Sequence, residues 1–228
     1  MSRNTLKYIA AAAMLIDHIS AFFIPVSTPV GCLMRVIGRL TAPIMCYFVA
    51  EGFIHTSSKT KYGTRLFIFA VISQLPYSLA NSSNAFRFNM IFTLFIGFLI
   101  LYVYEEIKTE PTKSAIILLL FAVAFFSEWS IIAPLWILSF YILRNNKKNS
   151  VLSFLLITAI HILLNTVFAI ISNQNWYSQL WQAGLLLFIP VIFIYNGKKG
   201  DNSAFSKWFF YIFYPLHLFI IAIILNST

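Results

Sequence analysis

Asp17 and His18 are neighbours in an apolar stretch from Lys7 to Pro25 that holds no other ionisable group after Lys7. A carboxylate at the middle of a bilayer costs roughly 2.5 to 3.5 kcal/mol on insertion scales, so it faces a partner or a wet cavity rather than lipid. The chemistry this pair offers is proton handling: the imidazole accepts a proton from an amine or hydroxyl while the carboxylate orients it or balances its charge. Further along, Arg35 and Arg39 are one helical turn apart on a common face, and Glu51 and His55 repeat that spacing on another face. His161 and His217 each stand on an otherwise apolar helix. An imidazole near a carboxylate, with arginines able to hold an anion, suits general-base acyl transfer; it equally suits a proton relay in a transporter.

Each of these residues has a plainer role to set beside the chemical one. Asp17 can pair with an arginine merely to fix helix packing, and Arg35, near a helix end, can snorkel to the interface as an anchor. Arg39 is deeper and reads as functional or as the partner of Asp17. His161 reads as a satisfied bundle histidine. His217 reads as functional, because Pro215 frees the Tyr211 carbonyl near mid-membrane. The basic run Lys59, Lys61 and Arg65 beyond His55 suits either anionic lipid or the phosphates of a nucleotide-bearing donor.

The elements that must carry these side chains are transmembrane helices. The 228 residues are 60% hydrophobic and 10% charged, and the mean hydropathy of +0.82 lies far above that of soluble domains. The fold class is all-α, a polytopic transmembrane bundle forming a single domain over residues 1–228. Apolar runs predict nine spans, at about 7–25, 33–55, 65–80, 88–104, 113–127, 129–143, 150–172, 178–195 and 207–225. The fifth and sixth are short, at about 15 residues against the roughly 20 needed to cross, and form either full spans or a re-entrant pair. With the N-terminus placed in the cytoplasm, all of the 16 lysines and arginines except Arg35, Arg39 and Arg87 fall on the cytoplasmic side. The C-terminus is then outside. At 1.5 Å per residue, Asp17, His18, His161 and His217 all lie about 14 to 17 Å into the membrane. On the first helix, Ala10, Ala13, Ser20 and Ala21 share the face of Asp17, while Ile9, Ile16 and Phe23 point to lipid. Pro43, which cannot donate to the Arg39 carbonyl, predicts a kink between the arginine pair and the Glu51 and His55 pair.

Other chemistries lack their signatures. The formal charge of +9 is spread over loops rather than gathered on one amphipathic element, so nucleic acid is not a partner. No HExxH, paired-cysteine motif or acidic cluster provides a metal site. Cys32 and Cys46, about 21 Å apart on one predicted helix, cannot form a disulfide. GxGxxG, P-loop and nucleophile-elbow patterns are absent.

The ordered stretches MLIDHIS (14–20), RVIGRLTAPIMCYFVAEGFIHT (35–56), KYGTRL (61–66), ISQLPY (72–77), FNMIFTL (88–94), YNGKKG (195–200) and FFYIFYPLHL (209–218) resemble the TraX family, whose founding member acetylates the N-terminus of conjugative F pilin in the inner membrane. The resemblance spans nearly the whole chain. It departs from the family at Thr41-Ala42-Pro43, where an aromatic often precedes the proline. It implies a multi-pass inner-membrane acyltransferase using acetyl-CoA as donor, without a metal. Its partners are membrane lipids, acyl-CoA and a membrane-borne or exported acceptor, such as a pilin-like N-terminus or a glycan. The family's recurring polar residues fall on Asp17, His18, Arg39, Glu51, His55, Arg65, Asn89 and His217. The expected roles are catalysis by His18, Asp17 and Arg39, with donor or acceptor binding by Arg35, Glu51, His55, Arg65, Asn89 and His217. The rival readings are a proton-coupled transporter or flippase and a non-catalytic membrane assembly factor.

Overall fold

The computed structural model describes residues 1–81, 86–198, 200–201 and 203–227. Among these the regular structure is helical, with an isolated bridge between Phe88 and Ser127. The helices are α1 (Arg3–Phe23), α2 (Pro29–Gly38), α3 (Thr41–His55), α4 (Lys59–Ala80), α5 (Met90–Glu106), α6 (Glu110–Ala124), α7 (Ile132–Ile142) and α8 (Lys147–Ile171); a 3₁₀ helix (Trp176–Leu187) follows, then α9 (Phe188–Ile194) and α10 (Ala204–Ser227). Every predicted apolar run overlaps one of these elements or a consecutive pair. Among the described residues, five stretches rather than nine are long and apolar enough to cross a membrane: Arg3–Phe23, Pro29–His55, Lys147–Ile171, Trp176–Ile194 and Ala204–Ser227. The fifth and sixth predicted segments become helices of 15 and 11 residues.

The helix boundaries follow from local chemistry. Ser2, Thr28, Ser58, Asn89 and Asn146 are side-chain N-caps, each accepting a hydrogen bond from a backbone N–H in the first turn. Thr28 is followed by Pro29, whose missing N–H costs nothing at the start of a helix. The predicted single helix over 33–55 is broken at Arg39–Leu40, where the Arg39 N–H reaches the carbonyls of Arg35 and Ile37 and α3 restarts at Thr41. Pro43 then sits in the first turn of α3, where an absent donor is tolerated. The break therefore falls between the two charged pairs, as the proline predicts.

The chain forms two compact units, Met1–Met45 with Leu143–Asn202, and Cys46–Ile142 with Ser203–Thr228. In the first, α1 packs on α2, and the 3₁₀ helix packs on α2, α8 and α9. The buried face of α1 is Ala10, Ala13, Asp17 and Ser20, together with Leu6, Ala11 and Met14. Ala21, expected on that face, is exposed and lines a cavity instead. Small side chains let α2 and the start of α3 come close: the Thr41 hydroxyl of α3 donates to the Ala10 carbonyl at 3.0 Å, and the Ser20 hydroxyl donates to the Gly31 carbonyl of α2 at 3.0 Å. The outer side of α8 is a row of exposed Leu152, Leu156, Leu163, Val167 and Phe168, the composition a helix presents to lipid.

In the second unit α5 is central, packed against α4, α6 and α7, with α10 on α4. Ile96, Ile100 and Ala124 form a fully buried cluster there. Phe53 meets both Phe98 and Tyr141 edge-on at 5.4 and 5.5 Å, the favoured aromatic arrangement.

Candidate functional site: an arginine pair on one buried carboxylate

The site in the first unit is built by α1, α2 and the 3₁₀ helix. Asp17 is buried on α1, 8% exposed. Arg35 Nη1 and Arg39 Nη2 both donate to its Oδ2 atom, at 2.9 and 2.8 Å. The four-residue spacing puts both guanidinium groups on the face of α2 that meets α1. Gly38 makes this possible, since a Cβ there would overlap the Cβ, Cγ and Oδ1 atoms of Asp17. Oδ1 itself is buried without a hydrogen-bond partner, pressed against the glycine that creates the space.

Trp181 of the 3₁₀ helix completes the cluster. The Arg35 and Arg39 guanidinium carbons lie 4.5 and 4.6 Å from its ring centroid, within cation–π range. The 3₁₀ helix can approach α2 this closely because Gly184 lies against the Val36 carbonyl, where any side chain would overlap it. Twelve residues is long for a 3₁₀ segment. His161 of α8 is within electrostatic reach of Arg39, and the Asn165 amide donates to the His161 carbonyl at 2.8 Å.

Asp17 and Asp201 are the two carboxylates of this unit. Asp201 is held near the N-terminal end of α1, where its backbone carbonyl accepts from the Asn4 amide. Two buried guanidinium groups share the Asp17 carboxylate. Beside it opens a cavity of about 420 Å³ lined by Phe22, Phe23, Pro25, Val26, Arg35 and Trp181 among others. Arg35 is on its wall. Arg39, 9% exposed, is on the Asp17 side and does not line it. The sequence reading assigned the deeper Arg39 to chemistry and left Arg35 as a possible anchor; the structure puts Arg35 at the open space and makes Arg39 a clasp on Asp17. His18 is half-buried on α1, with its ring centroid 6.1 Å from that of Phe22, a cavity residue.

The remaining predicted residues lie in the second unit. Asn89 is fully buried and caps α5: its Oδ1 accepts from the Phe92 N–H at 3.2 Å, while its amide donates to the Ala70 carbonyl at 2.7 Å and to Gln74 Oε1 at 2.8 Å. This ties α5 to α4. His217 is buried in α10, stacked on Phe213 at 4.9 Å, and its Nδ1–H donates to the Phe213 carbonyl at 2.8 Å. Arg65 lies 5.8 Å from the Tyr62 ring and is hydrogen-bonded to Tyr211. Glu51 is half-buried within electrostatic reach of Tyr47, one turn earlier, and His55 is exposed at the end of α3. Beside it Lys59 pairs with Glu106 at 3.0 Å. Lys199 of the YNGKKG stretch lies outside the described residues. Among the described residues, no three His, Cys, Asp or Glu side chains gather as a metal site.

Sequence reasoning gives no role to Trp181, Gly38 or Tyr214. The Tyr214 hydroxyl accepts from the Met90 N–H at 3.1 Å and donates to Glu128 Oε2 at 3.4 Å. Gly38 carried a readable signal, a small residue between two intramembrane arginines. Trp181 carried none, since nothing in its own segment reports a partner some 140 residues away.

The chain is 32% identical over 238 residues to a protein of Dichelobacter nodosus described as "Probable fimbrial assembly protein FimC, serogroup H1", covering 96% of each chain. It is 30% identical over 108 residues to an uncharacterized protein of Rickettsia prowazekii (strain Madrid E), a match covering 47% of this chain and 40% of that one. No solved structure matches it. The sequence profile described as "TraX protein" matches residues 2–225, and the chain belongs to the TraX family.

Proposed function

We propose that this protein is an integral-membrane acyltransferase that moves an acetyl group from acetyl-CoA to an amine or hydroxyl of a membrane-borne or exported acceptor, in the service of pilus or fimbrial assembly. The observation that carries the reading is the buried Asp17, Arg35 and Arg39 cluster, with Arg35 on the wall of a cavity whose lining begins at Ser20, two residues beyond His18. Family membership and the printed description of the Dichelobacter relative support the link to fimbriae.

In the mechanism, the acceptor nitrogen or oxygen attacks the thioester carbonyl carbon while His18 takes the proton that the acceptor gives up. The carbonyl oxygen becomes an oxyanion, and the Arg35 guanidinium on the cavity wall stabilises it in a site shielded from water. The carbon–sulfur bond then breaks, and the leaving thiolate recovers the proton from the His18 imidazolium. The products are the acetylated acceptor and free CoA. Asp17 works here by holding the two guanidinium groups in place, a different role from the histidine-orienting one expected from sequence. In the orientation expected from the basic residues, the cavity lies toward the outer side of the membrane, where an exported acceptor enters, and the thioester arrives from the cytoplasmic side. The protein is then placed in the inner membrane.

The test is to incubate purified protein with labelled acetyl-CoA and membranes from its host and to find by mass spectrometry which molecule gains the label. His18→Ala should abolish labelling and leave the protein inserted. The printed description of the relative also favours a non-catalytic assembly factor, which predicts stoichiometric partner binding and full tolerance of His18→Ala. Undiminished labelling by that variant removes the proposed mechanism.

A further inference from the structure

In the second unit, Arg65 of α4 has no Asp or Glu partner among the described residues, and its Nε atom is buried without a hydrogen-bond partner. Its guanidinium donates to the Tyr211 hydroxyl of α10 and lies 5.8 Å from the Tyr62 ring. Lys59, at the start of the same helix, is engaged differently: it pairs with Glu106 at 3.0 Å and lies over the Phe53 ring.

The groups nearest Arg65 along the two helices are also cations. Lys61 is one turn earlier on the same face of α4, and Lys207 is one turn before Tyr211 on the same face of α10. Both lysines are exposed, and Lys207 Nζ lies 5.5 Å from the Trp208 ring centroid. Helices α4 and α10 pack directly on each other, with Phe69 4.8 Å from Tyr211 and 6.0 Å from Trp208, ring to ring. Lys61, Arg65, Lys207 and the Tyr211 hydroxyl therefore border one seam.

Further along, the seam turns apolar. Ile68 and Ile72, one and two turns beyond Arg65, are exposed on α4, as is Ile212 on α10. Arg65 is about 9 Å along α4 from Lys59 at 1.5 Å per residue, a depth from which an arginine snorkels to the headgroup level. A soluble nucleotide would engage the cations and leave the isoleucines bare. A lipid with an anionic head covers both.

We propose that the seam between α4 and α10 binds an anionic phospholipid of the leaflet on the expected cytoplasmic side, its phosphate held by Arg65 and Tyr211 and its acyl chains lying along Ile68, Ile72 and Ile212. The planar guanidinium has five N–H donors, so the bond to Tyr211 leaves others for a phosphate, and the Tyr211 hydroxyl, accepting from Arg65, has its own hydrogen to donate. Lys61 and Lys207 add the positive field that selects an anionic over a zwitterionic lipid, as basic pockets between membrane helices do. The inference goes beyond the acyltransferase reading and is independent of it, since binding needs neither His18 nor turnover.

The experiment uses the full chain in detergent micelles, titrated with phosphatidylglycerol and, separately, with phosphatidylcholine, and read by native mass spectrometry. Phosphatidylglycerol should bind at least about tenfold more tightly. Arg65→Gln should weaken it about tenfold, the loss of one charge-assisted pair, and Lys61→Gln about fivefold. Lys148→Gln, at an exposed lysine of the other unit, should leave it unchanged. Lys61→Glu keeps Arg65 and gives it a carboxylate one turn away, so it should abolish the preference for phosphatidylglycerol even if Arg65→Gln does not fold. A competition arm separates a lipid phosphate from the phosphates of a soluble donor: added CoA should not displace the lipid. Equal binding of the two lipids, an undiminished preference in Lys61→Glu, or displacement by CoA overturns the proposal.

Discussion

Replacing Asp17 by asparagine removes the one charge that two buried guanidinium groups share, at nearly constant volume. Each guanidinium is about 4 Å, charge centre to charge centre, from the carboxylate, an attraction of about 4 kcal/mol apiece at an effective dielectric of about 20. Both lie within 4.6 Å of one indole centroid, so their charges are at most about 9 Å apart and repel by about 2 kcal/mol or more on the same scale. Asp17→Asn forfeits both attractions and keeps the repulsion. After relaxation and entry of water through the cavity, the loss should fall in the range of about 3 to 5 kcal/mol seen when a buried pair is broken from one side. Arg35→Gln behaves differently. It gives up one attraction but also removes the repulsion and the desolvation cost of one buried guanidinium, so its effect on stability should stay within about 1 kcal/mol. The assay is reversible denaturation in mixed micelles followed by circular dichroism, for the two single variants and the double variant. The double variant should be more stable than Asp17→Asn alone, because it relieves the repulsion. The account fails if Asp17→Asn is as stable as the wild type, or if Arg35→Gln is the more damaging change.

Other expectations are simpler. Gly38→Ala places a methyl group within the volume of the Asp17 carboxyl and should destabilise by about 1 to 3 kcal/mol through overpacking, read as a lower thermal midpoint. Tyr214→Phe leaves the buried Met90 N–H without its acceptor and should cost about 1 to 3 kcal/mol in the same denaturation assay, whereas His55→Ala, on an exposed helix end, should change stability by no more than about 0.5 kcal/mol.

Much of the local structure is legible along the chain because it depends on near neighbours. Ser58 and Asn146 before basic first turns, Pro29 after Thr28, and Pro43 four residues beyond Arg39 mark the helix starts and the break in the second span. The small face of α1 predicts where a second helix packs, and Ala10, Ala13, Asp17 and Ser20 are buried there, though Ala21 is exposed. The 3₁₀ helix at Trp176–Leu187 is not legible in this way, since an apolar run satisfies a 3.0 or a 3.6 residue period about equally well at this length.

Sequence by itself determined that this protein is a helical membrane protein of the TraX family and that Asp17 needs a partner, because hydropathy, caps and the cost of a lone carboxylate in hydrocarbon are set by residue type and short spacing. Tertiary structure decided the rest. It gave Asp17 to both arginines, turned Arg35 rather than Arg39 toward open space, brought Trp181 onto the pair, and made Asn89 a helix cap and His217 a stacked ring. Those outcomes depend on which faces of separate helices meet, and a guanidinium carries the same charge wherever the chain places it.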